Sequence, residues 1–307
     1  MKILSAAAIF TAAIFVSSYA AAQSKCEGKI TRDIKGLSSA KILTDSGVVG
    51  YSRIHINIDG YGKAYHPKNA AAGALIHLCN AGQVYLPDGK KYHGSIDNAT
   101  CTGAFMSDVA RIGNAGWKDK SIGLVRWYGI LGKDEVSMNG EVVRGVVPVK
   151  QADGSGFFVS PTKFADQSIK DESIQRRYVN PLRIPAGVIP ESAILASNGV
   201  IMGSFGVAIR KDKRIAVPFV VGDAGPRIGE GTPALARALA GFPITDNVTR
   251  DNRFTGQVDA ANVLWVFFGK KIPAVKYDAD NENALIVAST KAFADWGGKE
   301  RLDDCLK

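Results

Sequence analysis

From Arg214 to Gly241 the chain runs from apolar and β-branched residues, through a glycine-rich turn, into a short helix with its own start and stop signals. No other feature constrains the fold as much. Ile215–Val221 has the composition of a buried strand, and Gly222 ends the run. Asp223 is then expected at the strand's end. Gly225-Pro226 and Gly229 let the turn bend, while Thr232 followed by Pro233 predicts an N-cap and first-turn proline for a helix over Pro233–Ala240, closed by Gly241. Two carboxylates, Asp223 and Glu230, are delivered by one strand–turn–helix unit. Glu230 lies close to a helix start, where a carboxylate also serves as a structural cap, so that role stands beside a chemical one.

The remaining signals are mostly β. Strands are expected at Ile54–Ile58, Gly123–Gly129, Gly156–Ser160, Ser204–Ile209 and Asn262–Phe268, separated by Gly, Pro, Asn and Asp clusters. Further helices are expected near Thr290–Trp296 and Thr162–Ile169. Many short strands with few helices predict a mainly β, α+β fold with a barrel or sandwich decorated by long loops. No repeat or proline-rich linker divides the chain. One domain, residues 23–307, is expected after a signal peptide at residues 1–22, whose apolar run ends in Ala20-Ala21-Ala22. That run is short for a bilayer span of about 20 residues, so no membrane span is expected after cleavage and the protein is placed in the periplasm or outside the cell.

Four cysteines in an exported chain predict two disulfides. Three connectivities are open; Cys79–Cys101, closing a hairpin-like segment, with Cys26–Cys305, tying the ends, is the expected one. The absence of a CxxC pair and the scattered histidines give no support for a metal centre, and no cofactor is expected. The net charge of +9 is dispersed, without the basic helix or aromatic-basic strands of a nucleic-acid binder. In RIHINIDGYGKAYHPKN, His55, Asn57 and Asp59 alternate on one strand face, either solvated or lining a cleft.

Several segments resemble the glycoside hydrolase family 75 chitosanases, the bacterial relatives of the fungal enzymes. They are NIDGYGKAYHP, GFFVSPTKFADQS with QRRYVNPLRIPAGVIP, GSFGVAIRKDKRIAVPFVVGDAGPRIGEGTPALARAL, and NVLWVFFG. The resemblance implies that Asp223 and Glu230 are the catalytic acid/base pair of an endo-acting, inverting hydrolase of β-1,4-linked glucosamine polymers, with Asp59 binding a substrate amine. The turn between the two carboxylates is shorter than in the fungal members. The same unit is similar to the double-psi β-barrel of expansin-like and lytic-transglycosylase proteins, which implies a double-psi-like barrel and opens peptidoglycan as a second substrate class. A non-catalytic carbohydrate-binding protein of that shape is a third reading. Glu230 is expected as acid and Asp223 as base, from the slightly higher reference pKa of glutamate. Tyr65, His66, Tyr178 and Asn180 are expected to bind the polysaccharide, Trp127 and Tyr128 to pack in the core, and the protein to act as a monomer.

Overall fold

Strands whose two faces are both apolar have to be covered on both sides. The computed structural model, which describes residues 25–94, 101 and 103–307, meets this with a closed ring of six strands; the expected signal segment lies outside the described residues. In chain order the strands are β1 (Gly28–Ile30), β2 (Ser38–Leu43), β3 (Val48–Ile56), β4 (Gly82–Tyr85), β5 (Lys91–His93), β6 (Leu124–Trp127), β7 (Gly132–Met138), β8 (Glu141–Pro148), β9 (Ala186–Ile189), β10 (Phe205–Arg210), β11 (Ala216–Ala224), β12 (Glu230–Gly231) and β13 (Val258–Phe267). The helices are α1 (Phe105–Asn114), α2 (Ala193–Ser197), α3 (Pro233–Leu239), α4 (Glu282–Trp296) and α5 (Gly298–Cys305).

The ring runs β3–β12–β9–β11–β10–β13 and returns to β3. Its β9–β11 and β3–β12 pairings are parallel, the others antiparallel. A parallel pair cannot be joined by a tight turn, so each needs a crossover. This is the mainly β, α+β architecture with a double-psi-like barrel that the sequence predicts. Val48 and Ile54 of β3, Ala208 of β10, Phe219 and Val221 of β11, and Trp265 and Phe267 of β13 converge with Leu235 and Leu239 of α3. Residues from all round the ring meet in this cluster, so it fills the barrel. Leu264, Val266, Val207 and Val220 alternate with these and face outward, against Leu285, Ala292 and Trp296 of α4 and Leu302 of α5. A second core, with Tyr65, Phe105, Trp127 and Phe158, gathers α1 and the β4–β5–β6 sheet beside the barrel. Both disulfides, Cys26–Cys305 and Cys79–Cys101, are formed. No helix among the described residues is long and apolar enough to cross a membrane.

Some elements differ from expectation. Gly156–Ser160 contributes only a bridge between Phe158 and Lys150. Thr162–Ile169 is not a helix: Phe164 N–H donates to Gly222 and Asp166 N–H to Arg177, while the Asp166 carboxylate takes Ser168 and Ala279 N–H groups. Such outward and side-chain bonds compete with the helical ladder. Helix α4 starts a full two turns before Thr290, because Leu285, Ser289, Ala292 and Trp296 form a buried stripe at helical spacing.

Inside the barrel the Phe219 ring lies against Gly187, where a Cβ would stand 3.0 Å from both the Phe219 and Trp265 rings. A methyl there has to displace packed aromatic atoms. We expect Gly187→Ala to destabilise the protein by about 1 kcal/mol, with a smaller loss in a Phe219→Leu background, as read by urea denaturation of the four proteins of the cycle.

Candidate active site

Two backbone features bring the acidic residues together. Strand β11 does not stop at Gly222 but continues to Ala224 through a bulge between Val221 and Asp223. Strict alternation would aim Asp223 the same way as Phe219 and Val221, into the barrel; a bulge re-aims the residue that follows it. The Asp223 carboxylate accepts from Lys163 N–H at 2.9 Å, Ala224 N–H at 2.9 Å and the Asn57 side-chain amide at 3.3 Å. Next, Gly229 turns at φ +118°, with its α-carbon so close to β3 that a Cβ would lie 2.5 Å from Ser52 Oγ. Only glycine fits that approach. It lets Glu230 lie beside His55, where His55 N–H donates to Gly229 O and Asn57 N–H to Gly231 O, each at 2.9 Å. The Thr232 hydroxyl then caps α3 through Leu235 N–H and also accepts from Ala186 N–H, locking the helix start to β9.

Asp59 follows the end of β3. Gly60, at φ +97°, passes within what would be 2.0 Å of Val179 O for a Cβ, so the chain turns sharply just after the carboxylate. Asp59 N–H donates to Asn57 Oδ1 at 2.7 Å, and the Asp59 carboxylate accepts from Tyr65 OH at 3.3 Å and Ser160 Oγ at 3.2 Å. Asn57 thus joins the backbone of Asp59 to the carboxylate of Asp223. An open cleft of about 570 Å³ is lined by His55, Asn57, Asp59, Tyr65, Glu230, Arg253, Phe254 and Gln257, with Ile76, His77 and Asn80 on the side of the second core. An adjoining narrow crevice is shared by Asn57, Asp59, Gly222 and Asp223.

Asp59, Tyr65 and Glu230 therefore line one cleft, and Asp223 lines an adjoining crevice that shares Asn57 and Asp59 with it. His66, Tyr178 and Asn180 do not line it. The His66 ring sits edge-on to Phe157 at 4.9 Å and its Nδ1 accepts from Lys68 N–H. Tyr178 is 5 % exposed, packed with Val159 and Ala165, and its hydroxyl donates to Glu172 O. Asn180 accepts from Leu182 N–H at the turn leading to β9. Each serves the loop it belongs to. Trp127 is buried as expected, donating to Val146 O, whereas Tyr128 is 49 % exposed. The sequence pattern did not single out Phe254, which is 46 % exposed at the cleft with the Arg253 guanidinium 4.4 Å over its ring. A lone phenylalanine in the polar turn DNRFTGQ was the available signal. No cluster of three or more potential metal ligands occurs among the described residues.

The carboxylates are not equivalent. Burial, followed by the negative charge of Asp223, raises the Asp59 pKa well above the ordinary carboxylate range, against the opposing bonds from Ser160 and Tyr65. Burial also raises Asp223, but the two backbone N–H groups and Asn57 stabilise its anion. Two neighbouring carboxylates cannot both ionise cheaply, and the hydrogen bonds around Asp223 favour the anion there more than at Asp59. Burial raises Glu230 as well, opposed by Arg53, His55 and Arg227.

A carboxyl whose folded-state pKa is raised binds its proton more tightly when folded, so its contribution is favourable below the unfolded value and is lost as pH rises through the folded value. We expect Asp59→Asn to raise stability by about 1 kcal/mol at pH 7–8, as a neutral isostere of an ill-placed charge, and to lose that advantage below pH 3.8, the ordinary value for aspartate; thermal melts across pH check this.

No protein-family model matches this chain and no curated protein matches it significantly, so the reading of the cleft rests on its own residues.

Proposed function

We propose that the protein is an exported endo-acting glycoside hydrolase that cleaves β-1,4-linked amino-sugar polymers by carboxylate acid/base catalysis with inversion. The observation that carries this reading is the meeting of Glu230, Asp59 and Asp223 at one end of the barrel, in an open cleft and the crevice adjoining it. The segments that resemble family 75 chitosanases supply both Asp223 and Glu230. An exposed aromatic ring at the cleft, Phe254, is the kind of platform on which a sugar face packs. The leading segment and two disulfides suit an oxidising compartment outside the cytoplasm.

In this mechanism Glu230, whose pKa burial raises, acts as the acid and gives its proton to the glycosidic oxygen as the bond from that oxygen to the anomeric carbon breaks. Water attacks the opposite face of the anomeric carbon. Its proton passes to a carboxylate of the Asp59–Asp223 pair, and exchange with solvent returns acid and base to their starting states. Tyr65, whose hydroxyl is kept neutral by burial and by Asp59, holds Asp59 in place. The charge of +9 favours a second substrate, peptidoglycan, over the polycation chitosan.

The test is hydrolysis of glucosamine oligomers, N-acetylglucosamine oligomers and purified sacculi by wild-type protein and by Asp223→Asn and Glu230→Gln. We expect turnover of at least one polymer, with both variants slower by about 10²–10⁴-fold at unchanged melting temperature. NMR of the fresh product should show the inverted anomer. Absence of turnover on all three, or variants as active as wild type, would sink the proposal.

A further inference from the structure

Several arginines stand near the carboxylates of the cleft. Arg53 and Arg227 act on Glu230, and Arg253 lines the cleft opposite the carboxylate floor, with Arg250 behind it. None of these four arginines makes an ion pair among the described residues. Of the other buried arginines, Arg301 meets Asp45 and Arg210 meets Asp212, whereas Arg177 is held by carbonyl oxygens. Arg253 is half-buried, its Nη1 donates to Arg250 O, its Nε has no partner, and its flat face lies over Phe254. Asp251, the nearest acid, is exposed and forms no ion pair with it. Arg250 in turn is held by Ala74 O and Leu75 O, with Nη2 unpartnered. A guanidinium that is desolvated, stacked and unpaired on the wall of an open cleft is prepared for an anion supplied from outside.

We propose that the Arg253–Phe254 wall is a subsite for a carboxylate-bearing sugar, so that the polymer threaded through this cleft carries acidic substituents rather than free amines. The inference rests on the cleft's being the polysaccharide site proposed above. Phe254 presents an apolar face to a sugar ring, while the guanidinium of Arg253 stacked on it supplies the positive charge for a carboxylate on the same or the next unit. Arg53 and Arg227, beside Glu230, extend the same sign of field toward the reacting bond. A glucosamine chain, cationic at neutral pH, meets this wall with like charge.

The experiment is equilibrium binding of four tetrasaccharides to the full protein at low ionic strength: glucosamine, N-acetylglucosamine, alternating N-acetylglucosamine and N-acetylmuramic acid without peptide, and galacturonate. We expect the muramic-acid oligomer to bind about tenfold tighter than the N-acetylglucosamine oligomer, the glucosamine oligomer to bind weakest, and added salt to erode the difference. Arg253→Gln should abolish the preference while leaving N-acetylglucosamine binding within about twofold, and Arg253→Lys should keep part of it. Tight galacturonate binding would assign the subsite to carboxylates in general, and its exclusion to the lactyl carboxylate; either upholds the proposal. Equal binding of the neutral and acidic oligomers, or a preference that survives in Arg253→Gln, overturns it. Hydrolysis is followed separately. An Arg253-dependent preference without turnover keeps the subsite and removes the hydrolase; turnover without the preference does the reverse.

Discussion

The ring of strands closes through two residues. Glu230 and Gly231 form the whole of β12, yet this strand joins β3 on one side to β9 on the other, and without it the sheet has two free edges. At its two ends, Gly229 O accepts from His55 N–H, Gly231 O accepts from Asn57 N–H, and Thr232 N–H donates to Ala186 O of β9. The Gly229 approach to Ser52 and the buried Thr232 hydroxyl are what make so short a strand sufficient. Barrel closure and the placement of Glu230 are therefore one event. A side chain at position 229 would displace the carboxylate and open the sheet together.

This coupling also explains what could be read from the residues. The strand–turn–helix unit around Asp223 and Glu230 is local, and Thr232-Pro233 and the glycines state it openly in the sequence. The disulfides follow from cysteine placement in the chain. The bulge that keeps β11 going past Gly222 carries no such mark, because it depends on β9, more than thirty residues away, for its register. Tyr178, Asn180 and His66 stand in polar, turn-rich stretches that look solvated, but those loops pack on one another and use these side chains internally. Conversely, Phe254 is brought to the cleft by the chain entering β13, a tertiary fact that no local pattern encodes.

The site's electrostatics follow from the same geometry. Three carboxylates are gathered where burial disfavours their charge, and the charge of Asp223 adds to that effect at Asp59. Cations surround them without neutralising them by direct pairing, in contrast to the paired arginines elsewhere in the molecule. The proton affinity of Glu230 is set by desolvation working against nearby positive charge, a balance that any anionic substituent bound at Arg253 would shift toward the protonated state.

The Cys26–Cys305 bridge joins residues 279 positions apart and makes the described chain a covalent circle, with Cys26 N–H also donating to the Asp304 carboxylate. A single proteolytic cut in any loop between them turns the circle into one open thread and releases no fragment. The barrel strands on either side of the nick stay tethered at high local concentration. Nicked molecules can thus keep their assembled ring where a linear chain would lose half of it.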